Sequence, residues 1–475
     1  MAAAIQTRLR ALALQGIARL PFADVASPEL PLPRLLRLGL FQVSCGMAAA
    51  LTAGTLNRVM IVELGTPTAL VAIMLALPIL TAPARALIGH NSDQHRSAFG
   101  WRRVPYLWNG TMLMFAGLAI MPFSLILLKG SYTGSMIPGR VGATAAFFLL
   151  GIGTHTAQTA GLALAGDLAT PQTRPRVVAL LYLMLLVGTL ISAIGFGLTL
   201  RNYSNTRLVQ LVQGCALLVV ALNVLALWKQ EARNRARAEA PPPRVPFSER
   251  WAQFVGRGRT RRLLWAVGLG TFGFSAQDVL LEPFGAQVLG LSVGQTTLLT
   301  ALLACGAIAA FALSARRLER GYDPLRLAGI GSVIGAFGFA AIICSAPIES
   351  ATLFRLGTLL IGFGGGFFSV GTLSSAMQTD AADSNGIAVG AWGAVSATAM
   401  GGGLLAGGLL RDGIAQLTAR GVFGAGLVET TAGYIVVYHL EIVALFAAII
   451  ALGPLVRPAS AGITPRSFGL AELPG

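Results

Sequence analysis

The sequence predicts an all-α fold, a polytopic membrane protein with twelve transmembrane helices. Three observations carry that reading. Of the 475 residues, 55% are hydrophobic and 11% charged, against roughly 25% charged in soluble domains, so most of the chain cannot face water. Apolar runs long enough to cross a hydrocarbon core of about 30 Å recur from the residue-35 region to the residue-456 region. The basic residues also alternate between loops. With the N-terminus cytoplasmic, 27 of the 35 Lys and Arg fall in cytoplasmic segments or helix ends and 8 on the other side, as the positive-inside rule requires. Both termini are then cytoplasmic.

Taken in order, residues 1–34 form a cytoplasmic segment in which Ile5, Leu9, Leu12 and Leu20 share a helical face flanked by Arg8 and Arg19. No small-residue cleavage site follows a long apolar core, so a surface-lying amphipathic helix is expected, with a disordered tail as the alternative. Residues 35–228 supply six helices, near 36–57, 66–88, 104–128, 140–166, 177–200 and 207–228. Residues 229–262 form a basic cytoplasmic linker, with ten cations around "APPPRVP". Residues 263–456 supply six more, near 263–288, 294–315, 325–346, 353–377, 387–410 and 432–456, and 457–475 form a cytoplasmic tail. The net charge of +16 is spread over short loops without an interleaved aromatic platform. That pattern argues against nucleic acid and for the anionic lipids of the inner leaflet. Cys45, Cys215, Cys305 and Cys344 lack metal-ligand spacing and read as small core residues.

The two halves echo one another. Helix 4 contains "LLGIGTHTAQTAGLALAGDLAT" and helix 10 "LIGFGGGFFSVGTLSSAMQTDAA". Aligning Gly151 and Gly153 with Gly362 and Gly364 brings Asp167 within two residues of the partner of Asp380. After helix 2 comes "GHNSDQHRSAFGWRRVP", after helix 8 "RRLERGYDPLRL". Gly89, Asp93, Arg96, Gly100, Arg102 and Arg103 resemble a loosened form of the loop between helices 2 and 3 of the major facilitator superfamily. That resemblance implies two pseudo-symmetric six-helix bundles, and the changed spacing after Asp93 departs from the usual pattern.

A narrower resemblance covers nearly the whole chain. "LPRLLRLGLFQVSCGM", "GTLNRVMIVELG", "APARALIGHNSD", "GWRRVPYLWNGTML", "QTAGLALAGDLAT" and "QDVLLEPFGAQVLGLSVGQTT" together resemble the PucC/LhaA family of photosynthetic purple bacteria, also called bacteriochlorophyll-delivery proteins. The resemblance implies an inner-membrane assembly factor that hands bacteriochlorophyll to light-harvesting antenna polypeptides. Pigment-synthesis enzymes and membrane-insertion machinery are further implied partners. "LPFADVASPELPLPRLLRL" leans toward the core-antenna branch, LhaA, over the peripheral-antenna branch.

Helix 7 carries the sharpest local signal. Asp278 and Glu282, beside Gln277, stand four residues apart in a run that otherwise reads as hydrocarbon-soluble. At about 1.5 Å per residue from Leu263, Asp278 lies roughly 22 Å deep and Glu282 roughly 28 Å. Pro283 marks an expected bend or end. An ionised carboxylate facing lipid is costly, so this face should point into the bundle. It serves as a polar clamp, a proton or ligand site, or a docking site for pigment or an antenna helix. The match between "IVELGTP" and "QVLGLSV" suggests an Arg58–Glu282 pair across the cleft. In helix 4, His155 shares a side with Gln158 and Thr159, either to ligate the magnesium of a pigment or to bond neighbouring helices. In helix 12, Tyr434, Tyr438 and Glu441 share a face while His439 points elsewhere, lining the cleft or joining helices. Gly362/Gly366 and Gly403/Gly407 have GxxxG spacing, for close packing or as a flat surface for a ring or partner helix.

No P-loop and no Cys/His metal cluster is present, and no soluble domain is large enough to hold such a site, so an enzyme is not expected. Two classes of function remain: a pigment-binding assembly protein, and a proton-coupled secondary transporter of a small solute.

Overall fold

The computed structural model describes residues 30–81, 101, 103–128, 135–170, 173–230, 258–377, 385–422 and 429–456. The expected N-terminal amphipathic helix, Gly89, Asp93, Arg96 and Arg102 of the loop motif, Asp380, most of the linker and the C-terminal tail lie outside the described residues. Among the described residues all regular structure is helical. In chain order the helices are α1 (Leu32–Glu63), α2 (Thr68–Leu80), α3 (Val104–Leu127), α4 (Ile137–Leu168), α5 (Arg174–Thr199), α6 (Asn205–Leu227), α7 (Gly258–Gln287), α8 (Val293–Glu319), α9 (Pro324–Ser345), α10 (Ala351–Met377), α11 (Asn385–Ala419) and α12 (Glu429–Leu452). Within the described residues eleven are long and apolar enough to cross a membrane, and α2 is described over 13 residues. This is the expected multi-pass, all-helical membrane protein.

Several helix ends follow from local chemistry. Ser292 starts α8 with a capping box, accepting from Gln295 N while the Gln295 side chain accepts from the Ser292 N–H. Asp323 caps α9 through Leu325 N and Arg326 N, and Ser204 caps α6 through Arg207 N. The turns after α1 and α7 each need a left-handed residue, supplied by Gly65 (φ 63°) and Gly290 (φ 64°). Helix α1 runs past its expected end near 57 because two π-helical turns, Thr52–Leu56 and Val59–Glu63, carry it on.

The packing pattern repeats between halves. Helix α3 packs on α4 and α6 as α9 packs on α10 and α12, and α1 packs on α5 as α7 packs on α11. The halves meet along α2–α11 and α5–α8. One apolar core runs through both, from Leu35 and Phe41 to Phe284, Phe339 and Phe354. Within it Ser44 Oγ donates to Asn223 Oδ1 (2.8 Å) and Asn223 Nδ2 to Thr111 Oγ1 (2.9 Å), tying α1, α6 and α3. The outer surface is apolar as well: Leu217, Phe337 and Ile450 are 68%, 67% and 71% exposed, an exterior suited to lipid. Below, the end carrying Leu32, Gln230 and Gly258 is the linker end, and the opposite end is the far end.

Candidate functional site

Helix α7 is interrupted near the middle of its apolar span. It has two lengths, Gly258–Gly273 and Gln277–Gln287. Between them Phe274 N bonds Thr271 O (3.2 Å), Ser275 N bonds Phe272 O (3.1 Å), and the Ser275 hydroxyl bonds back to Thr271 O. This tight turn leaves the second length needing acceptors at its start. Glu441 on α12 supplies one: its Oε1 accepts from Gln277 N at 2.8 Å. A carboxylate there both caps the helix and meets its positive end. The interruption therefore precedes the carboxylates, whereas the sequence placed a bend after them at Pro283. Pro283 sits inside the second length, and Asn57 Nδ2 of α1 supports the ladder beside it by donating to Asp278 O at 2.9 Å.

Beside the interruption lies a cavity of ≈ 390 Å³. Its walls are Ala49 and Ala53 of α1, Leu186 and Thr189 of α5, Thr300, Leu303, Ala304, Ala307 and Phe311 of α8, Ile361, Gly362, Gly365, Gly366 and Ser369 of α10, and Met400 of α11. Helix α7 adds Phe274, Gln277, Asp278, Leu281 and Glu282. Gln277, Asp278 and Glu282 are thus brought to one space, on the inward face the spacing required. Glu282 is 3% exposed; Oε1 accepts from Thr300 Oγ1 at 2.7 Å, and Oε2 has no partner. Gln277 Nε2 donates to Asp278 Oδ1, leaving Gln277 Oε1 without a partner. Gly54 makes room, since a Cβ there would stand 3.2 Å from Glu282 Oε1.

The expected Arg58–Glu282 pair is absent. Arg58 Nη1 pairs with Glu63 Oε1 at 2.5 Å, and Nη2 donates to Leu291 O at 3.4 Å. The physical reason is the π turn Val59–Glu63, whose i→i+5 geometry returns Glu63 to the side of Arg58. Nearby, in the α5–α6 loop, the Tyr203 phenol is pushed above its ordinary value by burial first and the Glu63 carboxylate second, with Arg58 opposing. Tyr434, Tyr438 and Glu441 are all buried and His439 exposed, as the spacing required, but none of the three lines the cavity. Tyr434 donates to Gln287 Oε1 (2.7 Å), which also accepts from Arg411 Nη2 (2.8 Å). Tyr438 packs its ring on Phe284 and Phe339. His155 and Gln158 are half-buried on α4, away from the cavity walls, and the Thr159 hydroxyl bonds back to His155 O. Of the loop motif, Arg103 is described, its Nε donating to Asp167 Oδ2 at 3.1 Å. Gly362 and Gly366 face the α8 backbone, Gly403 and Gly407 the α7 turn at Ser275 and Ala276, so these glycines allow close packing. The match between "IVELGTP" and "QVLGLSV" sets Asn57 level with Pro283, and the structure brings it to Asp278 O; sequence reasoning missed Thr300 and the α1 π turns, for which "TAGT" at 52–55, with its glycine between threonines, was the available signal.

Residues 55–460 match the family described as PUCC protein. The chain belongs to that family. It is 52% identical over 401 residues to Protein PucC of Rhodovulum sulfidophilum, covering 83% of this chain and 88% of that one. It is 50% identical over 464 residues to the "Uncharacterized protein in puhA-bchM intergenic region" of Rhodobacter capsulatus, covering 96% and 97%. Among solved structures, a bacterial homologue of the iron transporter ferroportin in an inward-facing state superposes with a TM-score of 0.63, at 14% identity over 89% of this chain and 99% of that one. That likeness shows the fold, a major-facilitator-like arrangement. Family and fold together point to a non-enzymatic membrane protein.

Proposed function

We propose that this PUCC family member serves the assembly of light-harvesting antenna complexes in the inner membrane of a photosynthetic bacterium, holding bacteriochlorophyll as cargo and passing it to antenna polypeptides. Family membership over residues 55–460 is the observation that carries the reading. The α7 cavity supports it. Its apolar walls and single acidic face suit an apolar ring system with few polar edges, and Gln277, Asp278 and Glu282 are the contacts it offers. At ≈ 390 Å³ it lies toward the small end of ligand pockets, roughly 300–1,000 Å³, so a pigment's prenyl tail would lie outside it, among the helices. The core antenna is favoured by the resemblance of "LPFADVASPELPLPRLLRL". Cytoplasmic termini, with pigment-synthesis enzymes and insertion machinery as further partners, complete the proposal.

Gentle purification from pigment-making cells is the test. Antenna polypeptides or pigment-synthesis enzymes should co-purify, with pigment bands in the absorption spectrum; recovery of none of these from folded protein sinks the reading. The transporter-bearing fold favours a second reading, alternating-access transport coupled to protons, and Asp278 separates the two. Asp278→Asn keeps size and hydrogen bonding but cannot release a proton. An assembly role predicts near-normal antenna absorbance for Asp278→Asn at equal protein level and a large loss for Asp278→Leu. A well-expressed but inactive Asp278→Asn moves transport ahead.

A further inference from the structure

We infer that the α7 cavity recognises an electropositive centre carried in an apolar frame, with the Glu282 carboxyl group as the anchor. The polar groups on its walls are unbalanced. Asp278 and Glu282 face the space, and no Lys, Arg or His lines it among the described residues. The Arg58 guanidinium one helix away is engaged by Glu63 and Leu291 O.

Hydrogen-bond accounting points the same way. The hydroxyl of Thr300 is spent on Glu282 Oε1, that of Thr189 on the carbonyls of Gly46 and Leu185, and the Gln277 amide N–H on Asp278 and Phe274 O. The buried polar atoms left over on the cavity's α7 wall, Glu282 Oε2 and Gln277 Oε1, are acceptors. Glu282 is 3% exposed, so its free oxygen cannot turn to bulk water. A buried acceptor without a partner is costly, and a ligand that brings a donor or positive centre removes that cost. An anionic ligand would meet the two carboxylates, with the Ser369 hydroxyl across the space as the donor left to receive it. Phe274 and Phe311 are on the walls as well, and an aromatic ring turned face-on to a positive centre attracts it.

Two ligand sources share this chemistry: an amphipathic organic cation, and a neutral planar macrocycle that chelates a divalent metal, whose open axial position takes an oxygen. The second source rests on the pigment reading above; the first does not.

The experiment uses full-length protein in nanodiscs of uncharged phosphatidylcholine and matched probes. Tetraphenylphosphonium and tetraphenylborate have the same shape and opposite charge; a magnesium porphyrin and its metal-free form differ in the metal alone. Saturable binding of tetraphenylphosphonium without saturable binding of tetraphenylborate, or of the magnesium porphyrin over its metal-free form, is expected, and which pair discriminates identifies the source. Glu282→Gln should weaken the discriminated probe at least tenfold, about 1.4 kcal/mol. Gly365→Phe should abolish its binding: Gly365 lines the space, and the nearest atoms a Cβ there meets are Phe274 ring carbons at 3.6–3.9 Å, ordinary contact, so a side chain can be added on this wall to fill the cavity. Equal treatment of both pairs, absence of saturable binding, or binding unchanged in both variants with unaltered melting temperatures overturns the inference. Failure here with antenna polypeptides still co-purifying removes the ligand class alone. Retained discrimination without antenna recovery removes the assembly role alone.

Discussion

Glu441 completes a helix that is not its own. Its Oε1 holds the Gln277 N–H at 2.8 Å from another element. Glu441→Leu strips that buried N–H of its partner and should cost about 1–3 kcal/mol, read as a lowered melting temperature in detergent. Glu441→Gln keeps an acceptor oxygen and loses only the attraction of a carboxylate for the helix end, about 0.3–1 kcal/mol. Equal losses in the two variants would show that the hydrogen bond is not what Glu441 contributes. At this scale the sequence was readable where charge stood against hydrocarbon. Asp278 and Glu282 announced themselves that way, and their inward face follows from the cost of exposing them to lipid. Thr300 did not, because it is an uncharged residue of a kind scattered through many apolar helices. Arg58 was misassigned because a straight α-helix turns Glu63 away from it, and the sequence does not display the π turn that brings it back.

At the level of single helices, length and hydropathy located all twelve helices, eleven of them long enough as described to cross a membrane, while the departures from straight α-helix escaped. Pro283 drew the expected bend, yet α7 is interrupted at Phe274–Ala276. There a glycine-rich approach (Gly268, Gly270, Gly273) and the Ser275 hydroxyl's bond to Thr271 O loosen the ladder. Asn57 donates to Asp278 O, one residue from the Val279 carbonyl that Pro283 leaves without its ladder N–H, so α1 is set close against this stretch. The π turn Thr52–Leu56 matters for the same reason, since it sets Gly54 against Glu282 and Thr300. A Cβ at Gly54 would lie 3.1 Å from Thr300 Cβ and 3.2 Å from Glu282 Oε1. Gly54→Ala should therefore push the Thr300 hydroxyl off Glu282 and destabilise the protein by about 1–3 kcal/mol. Pairing it with Thr300→Ala, which removes the Oγ1 that the new Cβ meets first, should cost less than the sum of the two single losses; additive losses would place the strain elsewhere.

Across the whole molecule the two halves are fastened at the far end. Asp412 Oδ2 on α11 accepts from Ala69 N in the first turn of α2 at 2.8 Å, and its Oδ1 pairs with Arg411 at 2.8 Å. Thr55 and Thr297 meet at 3.5 Å between α1 and α8. The pairing of halves was readable from the repeated glycine pattern and the matched loops, but not the residues that join them, which are single polar side chains at helix ends. Asp412→Ala removes a cap worth about 0.5–2 kcal/mol, enough to shift an opening equilibrium severalfold. With the native cysteines replaced, a Thr55→Cys reporter should react with a membrane-impermeant maleimide several times faster when Asp412 is also Ala; equal rates would mean that this contact does not hold the far end shut. The same contact has a bearing on biosynthesis. Ala69 and Asp412 are 343 positions apart, Gln277 and Glu441 164, and a chain leaves the ribosome N-terminus first. The first turn of α2 therefore waits for α11 to be threaded before its amide finds its partner, and the second length of α7 waits for α12. The first six helices cannot be finished as a unit while the rest is still being translated. A product truncated before α11 therefore lacks the carboxylate that meets the Ala69 amide, and its α2 stands without that anchor.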